Sequence, residues 1–164
     1  MNIFASYSDP VLCAEYLDDK RLVKMILETA QLLSTAVRVV NPEVENDMYE
    51  EDMYLYKSTH VNHPCSVWAR ASQSNFMWLQ THGLALCNRY TKIYKRRHKC
   101  HRLMIKIFEH TKLFPDIGLT PFPNCTTFNL GNVHLNYQAY LQEKWKTDTN
   151  PRRNKLPIDY SELV

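Results

Sequence analysis

Residues 17–37 constrain the fold more than any other part of this chain. They read Leu-Asp-Asp-Lys-Arg-Leu-Val-Lys-Met-Ile-Leu-Glu-Thr-Ala-Gln-Leu-Leu-Ser-Thr-Ala-Val. At 100° per residue, Leu22, Ile26, Thr29, Leu33, Val37 and Val40 align in one apolar stripe, so the segment is an amphipathic helix of about six turns that must bury one side. Arg21, Lys24 and Glu28 fall on the neighbouring sector, with Gln31 and Thr35 beside them. A carboxylate between two cations on an anchored helix suits acid-base work on an anionic substrate. The competing reading is a solvated face with an ordinary i,i+4 Lys24–Glu28 pair, worth about 0.2–0.5 kcal/mol.

Around this helix the chain punctuates itself into further helices. Asp9-Pro10 pairs an N-cap with a first-turn proline and predicts a short helix to about Leu17. The long helix starts at Asp18 or Asp19 and stops at Asn41-Pro42. Pro64 opens a helix that carries Trp68 inward and Arg70 outward. Ser72 caps another, on which Phe76, Leu79, Gly83, Leu86, Tyr90 and Ile93 recur at helical spacing until Arg96 or Arg97. A helix through Leu103, Ile107 and Phe108 ends before Pro115. Pro115, Pro121 and Pro123 mark an irregular loop. A last helix spans about Val133 to Trp145, and residues 145–164, with Arg152, Arg153 and Lys155, form a pliable basic tail. No repeat or linker divides the 164 residues, so the expectation is one all-α domain.

Charge is distributed unevenly although the net value is only +3. Between Asn88 and Phe108 stand eight Lys or Arg (Arg89, Lys92, Lys95, Arg96, Arg97, Lys99, Arg102, Lys106), no Asp or Glu, and the rings of Tyr90, Tyr94, His98 and His101. Cations interleaved with rings suit a phosphate backbone and unstacked bases; cations at a helix C-terminus are the competing explanation. Glu43, Glu45, Asp47, Glu50, Glu51 and Asp52 form an acidic stretch, read as a solvated loop with at most one helical turn.

Several functions are excluded. Three dispersed glycines, Gly83, Gly118 and Gly131, cannot build a phosphate loop or a dinucleotide fingerprint. No Gly-x-Ser-x-Gly elbow is present. Neither a secretion signal nor a bilayer-length apolar run occurs, which predicts an intracellular, cytoplasmic protein without a membrane partner. The five cysteines (Cys13, Cys65, Cys87, Cys100, Cys125) are scattered with no Cys-x-x-Cys and read as inert thiols. His60-Val61-Asn62-His63 and His98-Lys99-Cys100-His101 supply ligand-type side chains in two places, but Lys99 inside the second cluster and the absence of a Cys-x-x-Cys argue against a structural zinc, so no metal and no cofactor is expected. His63, ahead of Pro64, is instead a proton donor or phosphate contact at a helix N-terminus, or a turn histidine held by the backbone. Tyr137, Tyr140 and Trp145 are candidates for stacking on DNA.

Three segments together resemble the pyrimidine-dimer DNA glycosylase family named for phage endonuclease V. They are the opening Met1-Asn2-Ile3-Phe4-Ala5, the pattern Leu17-Asp18, Leu22-Val23, Glu28, and His63-Pro64. The resemblance implies an all-α, endonuclease V-like fold and a duplex DNA substrate with an extruded nucleotide. It further implies that an N-terminal α-amine attacks C1′, releases the base and leaves a Schiff base, which a helix glutamate helps to resolve by elimination. On this chain the amine is that of Met1, or of Asn2 if Met1 is removed, and the glutamate is Glu28. α-Amines have a reference pKa of about 8, so a reactive neutral fraction exists near neutrality. Arg21, Lys24, Gln31, His60, His63, Arg70, Tyr94, Lys95, Arg96, Arg97, His98 and Lys99 are the candidate substrate and DNA contacts. The family's arginine before the glutamate is replaced here by Leu27.

Two other functions fit the same residues: a transferase that modifies bases, such as hypermodified thymines in viral DNA, and a non-catalytic nucleic-acid-binding module.

Overall fold

In the computed structural model, which describes residues 1–46, 48–50 and 53–148, the described residues are all-α apart from one small hairpin. Helix α1 (Pro10–Tyr16) leads through Leu17 into α2 (Asp19–Val40). A 3-10 turn (Pro42–Asn46) follows, then β1 (Met48–Glu50) and β2 (Met53–Tyr54), paired antiparallel. Helices α3 (Pro64–Ala69) and α4 (Gln73–Tyr94) come next. Helix α5 (His101–Lys106) continues as 3-10 helix to Leu113, and α6 (Val133–Thr147) completes the set.

Asp9 and Ser72 cap their helices as the sequence announces, and Asp18 and Asn132 cap α2 and α6. The Asp9 side chain accepts from the N–H groups of Val11 and Leu12, Asp18 from Arg21, Ser72 from Asn75, and Asn132 from His134 and Leu135. Leu22, Ile26, Thr29, Leu33 and Val37 are buried as the stripe requires. Val40 is 41% exposed, because the helix runs past the core before Asn41 ends it. Helices α2 and α4 pack closely where Gly83 faces Thr29 and Met104; a Cβ there would stand 2.4 Å from Met104 Sδ. Phe76, Leu79, Leu86, Tyr90 and Ile93 line the same buried side of α4.

Three expectations change. The acidic stretch is not simply loop, since a 3-10 turn and the hairpin occupy part of it; Asp47, Glu51 and Asp52 lie outside the described residues. The tail does not begin at 145. Helix α6 reaches Thr147, Trp145 Nε1 donates to Asp18 Oδ2 at 2.6 Å, and Asp148 is bonded to Lys20 and Arg21. Arg152, Arg153 and Lys155 lie outside the described residues. Arg89 does not join a basic surface: it is 8% exposed and donates to the carbonyls of Ala14 and Leu17, which the end of α1 would otherwise leave orphaned.

Candidate active site

The first six residues are built into the body of the protein. Ile3 and Ala5 are buried in the core. The Asn2 side chain folds back to accept from the N–H groups of Ile3 and Phe4, at 2.7 and 2.9 Å. Farther along, the Cys13 thiol donates to Phe4 O, His134 Nδ1 lies 2.7 Å from Ala5 O, and Gln138 Nε2 donates to Ser6 O. Helices α1 and α6 thus hold residues 4–6 of the leading strand of chain from two sides, and Ile3 is buried in the core two residues from the α-amine.

A second segment reaches the same region by stapling itself along α2. Arg38 donates to the carbonyls of Tyr56 and Leu55, and Ser34 Oγ accepts from Tyr56 N–H. Thr35 Oγ1 donates to Thr59 O and accepts from Thr59 N–H. This staple delivers residues 60–63 beside the Glu28 face of the helix. His63 then caps α3, its Nδ1 accepting from Cys65 N–H at 3.1 Å, which leaves Nε2 carrying the proton in the neutral ring.

His63 is where the two segments meet. Its pKa is lowered, first by burial and then by the positive charges of the α-amine and His60, while the carboxylate of Glu28 opposes the shift. The α-amine and Glu28 therefore both stand within electrostatic reach of one imidazole. Glu28 has a side chain only 14% exposed, with Lys24 Nζ 3.6 Å away and itself 76% exposed. An α-amine, a partly desolvated carboxylate and an imidazole with a fixed tautomer are group types that covalent catalysis with proton transfer can use. Two non-glycine residues with left-handed backbones, Phe4 (φ 53°) and His60 (φ 50°), sit on the two segments that form this region. Such conformations are costly and concentrate at functional sites.

The remaining sequence-selected residues divide clearly. Gln31 is half-buried on the α2 face near Glu28, and Thr35 is spent on the staple. Arg21 is held in ion pairs with Asp18 (3.0 Å) and Asp148 (3.1 Å), which ties α6 to the start of α2. His60 Nδ1 lies 2.7 Å from Thr59 Oγ1. Arg70 does not point freely outward; it donates to Val61 O and closes the turn before α3.

In the α4–α5 connection, Lys95, Arg96, Arg97 and Lys99 are exposed, although Arg96 Nε also donates to Tyr90 Oη. Tyr94 packs against Tyr90. His98 is buried against Tyr90, and its Nδ1 accepts from Cys100 N–H. Burial, followed by Lys99 and His101, lowers its pKa, so it belongs to the fold of the loop rather than to its charged surface. Of the proposed stacking rings, Tyr137 is buried and hydrogen-bonded to Pro123 O, and Trp145 packs on Tyr16. Tyr140 is half-buried beside Phe4, with Lys144 over its ring.

Sequence reasoning missed two cysteines here. Cys65 Sγ and Cys125 Sγ are 3.8 Å apart, and the α-amine charge acts on both. A hydrogen bond from the Cys65 thiol brings the Cys125 pKa down to about 6 and raises that of Cys65 correspondingly. The two lie 60 residues apart in sequence, so no local motif could have paired them.

Among the described residues no helix is long and apolar enough to cross a membrane. No curated protein and no solved structure matches the chain. A family model does: that of Pyrimidine dimer DNA glycosylase matches residues 1–102. The matched span contains the leading strand, Glu28 and His63, the three pieces that the fold gathers into one region. With well over half of its length matched, the chain belongs to the pyrimidine dimer DNA glycosylase family.

Proposed function

We propose that this protein is a DNA glycosylase with an associated lyase step, acting on a damaged or modified pyrimidine through the α-amine of Met1 and the carboxylate of Glu28. The reading is supported by the family match over residues 1–102, which spans Met1 and Glu28, and by the opposite electrostatic effects of the amine and Glu28 on His63. The neutral amine attacks C1′ of an extruded nucleotide, the bond from C1′ to the base breaks, and the base departs with a proton. The sugar then opens to an imine. Glu28 stabilises positive charge developing at C1′ and moves protons during ring opening and elimination of the 3′ phosphate. Extrusion is required because C1′ is inaccessible to the amine inside a stacked duplex.

Lys24 is the phosphate contact next to Glu28, since its ammonium is largely exposed. Arg21 is committed to Asp18 and Asp148 and acts through the fold. The exposed cations Lys95, Arg97 and Lys99 supply sequence-independent attraction for DNA.

Borohydride trapping on duplexes with a pyrimidine dimer or an abasic site tests the reading. Wild-type protein should form a covalent adduct at Met1. Glu28→Gln should lower turnover at least ~100-fold, the lower end of what positioned acid-base groups contribute. Acetylation of the amine should abolish the adduct. An adduct formed equally well by the acetylated protein removes the proposal. Mass gained by intact DNA, with no free base released, would instead favour the base-modifying transferase.

A further inference from the structure

We propose that His63, Cys65 and Cys125 form a binding site for a thiophilic divalent ion of the Zn2+ class, and that the ion, when bound, masks the α-amine of Met1. The ligand atoms of these three residues all lie within 4.8 Å of one another. Two sulfurs each about 2.3 Å from a tetrahedral Zn2+ stand about 3.8 Å apart. Cys65 Sγ and Cys125 Sγ are separated by 3.8 Å, and both thiols are free. One imidazole and two thiols form a donor set of the kind Zn2+ prefers.

The site is rigid on the protein side and open on the other. Cys65 is fully buried at the second position of α3, while His63 and Cys125 are partly exposed and give the ion a route in. Cys125 is fixed by its own N–H, which donates to Tyr137 Oη, and Tyr137 in turn donates to Pro123 O. The α-amine is the candidate fourth donor: Cys65 bonds to the backbone of Ile3, two residues from Met1, and the amine's charge reaches all three ligands.

Binding has a definable chemical cost. The neutral His63 ring has one lone pair, and Cys65 N–H occupies it at 3.1 Å. Coordination therefore exchanges the α3 cap for the metal. The proton that Cys65 shares with Cys125 and one proton of the α-ammonium pass to solvent, and the amine that holds the ion cannot attack carbon. Loss of imine formation on metal binding rests on the function proposed above; metal binding and protection of the amine do not.

Reduced, metal-free full chain titrated with Co2+ alone should show sulfur-to-cobalt charge-transfer bands and tetrahedral ligand-field bands saturating at one equivalent. Cys125→Ser, at a partly exposed position, should lose the bands and weaken Zn2+ binding by more than about 100-fold, beyond what outer-shell changes produce. Circular dichroism establishes that the variant is folded; if it is not, His63→Gln serves in its place. Absence of the bands in the wild type, or bands unchanged in folded variants, overturns the site.

Masking is read separately, by reductive methylation of Met1 followed by peptide mass spectrometry. Zn2+ at ten times its dissociation constant should slow methylation about tenfold in the wild type and leave Cys125→Ser unaffected. An unchanged rate in the wild type overturns the masking.

Discussion

Replacing Arg89 by Met asks which of the eight clustered cations serve the fold and which face DNA. Arg89 is 8% exposed, and Nη1 donates to Ala14 O and Leu17 O at 2.5 Å each. Those carbonyls lie at the end of α1, immediately before Asp18 caps α2, so the guanidinium pins the junction that orients the Glu28 helix. Methionine keeps an apolar stem of similar length and removes both bonds. Hydrogen bonds from a charged donor contribute about 1.5–3 kcal/mol each. Two such bonds set a floor of about 3 kcal/mol, and the expected loss is about 3–5 kcal/mol, the range found when one partner of a buried charged contact is removed. For a chain of this size, that corresponds to a fall in Tm of roughly 6–20 °C. Urea unfolding gives the free energy and a calorimetric scan gives the temperature. Arg89→Lys should fall between, because a single ammonium retains the charge but not the guanidinium fork. A loss below about 1 kcal/mol in Arg89→Met would refute the reasoning, since two such bonds could not then be contributing.

Three further outcomes follow from the same structure. Arg97→Ala and Lys99→Ala should leave stability within about 0.5 kcal/mol of wild type. Each should reduce the slope of log K against log salt for duplex DNA by about 0.9 per lost contact. An unchanged slope would take the α4–α5 connection out of the DNA interface. The Asp148 carboxyl is held down to about 2 by hydrogen bonds from Arg21 and Lys20, against an ordinary 3.8. Its folded pKa is depressed, so its stabilisation is complete above pH 4 and disappears as pH falls toward 2. Asp148→Asn should cost about 1 kcal/mol at neutral pH after allowance for solvent screening, with wild type and variant converging in acid melts. At Gly83, a Cβ would meet Met104 Sδ at 2.4 Å and Thr29 Cγ2 at 3.0 Å. Gly83→Ala sets about 1 kcal/mol of gained helix propensity against about 1–3 kcal/mol of overpacking. The variant should lose up to ~2 kcal/mol, and adding Met104→Val should recover part of that loss.

The helical frame was legible in the residues because its signals are local. The stripe from Leu22 to Val37, the caps Asp9, Asp18 and Ser72, and Pro64 at a helix start each act within a turn or two of themselves. Glu28 and Lys24 were legible for the same reason, since i,i+4 spacing alone sets them on one face. Charge was a poorer guide. A guanidinium inserted between helix ends and one left in water look alike in sequence, so Arg89 and Arg97 were grouped until burial separated them.

By itself, then, the sequence determined that this chain forms amphipathic helices, where they begin and end, and which helix carries the candidate carboxylate. Only the tertiary structure decided what stands beside that carboxylate. The Arg38, Ser34 and Thr35 bonds to residues 55–59 bring His63 to Glu28, the core burial of Ile3 and Ala5 brings in the α-amine, and the Pro-rich loop before α6 carries Cys125 to Cys65. Contacts between residues tens of positions apart leave no periodicity in the chain, because chain closure and packing, rather than helical repeat, determine which of them meet.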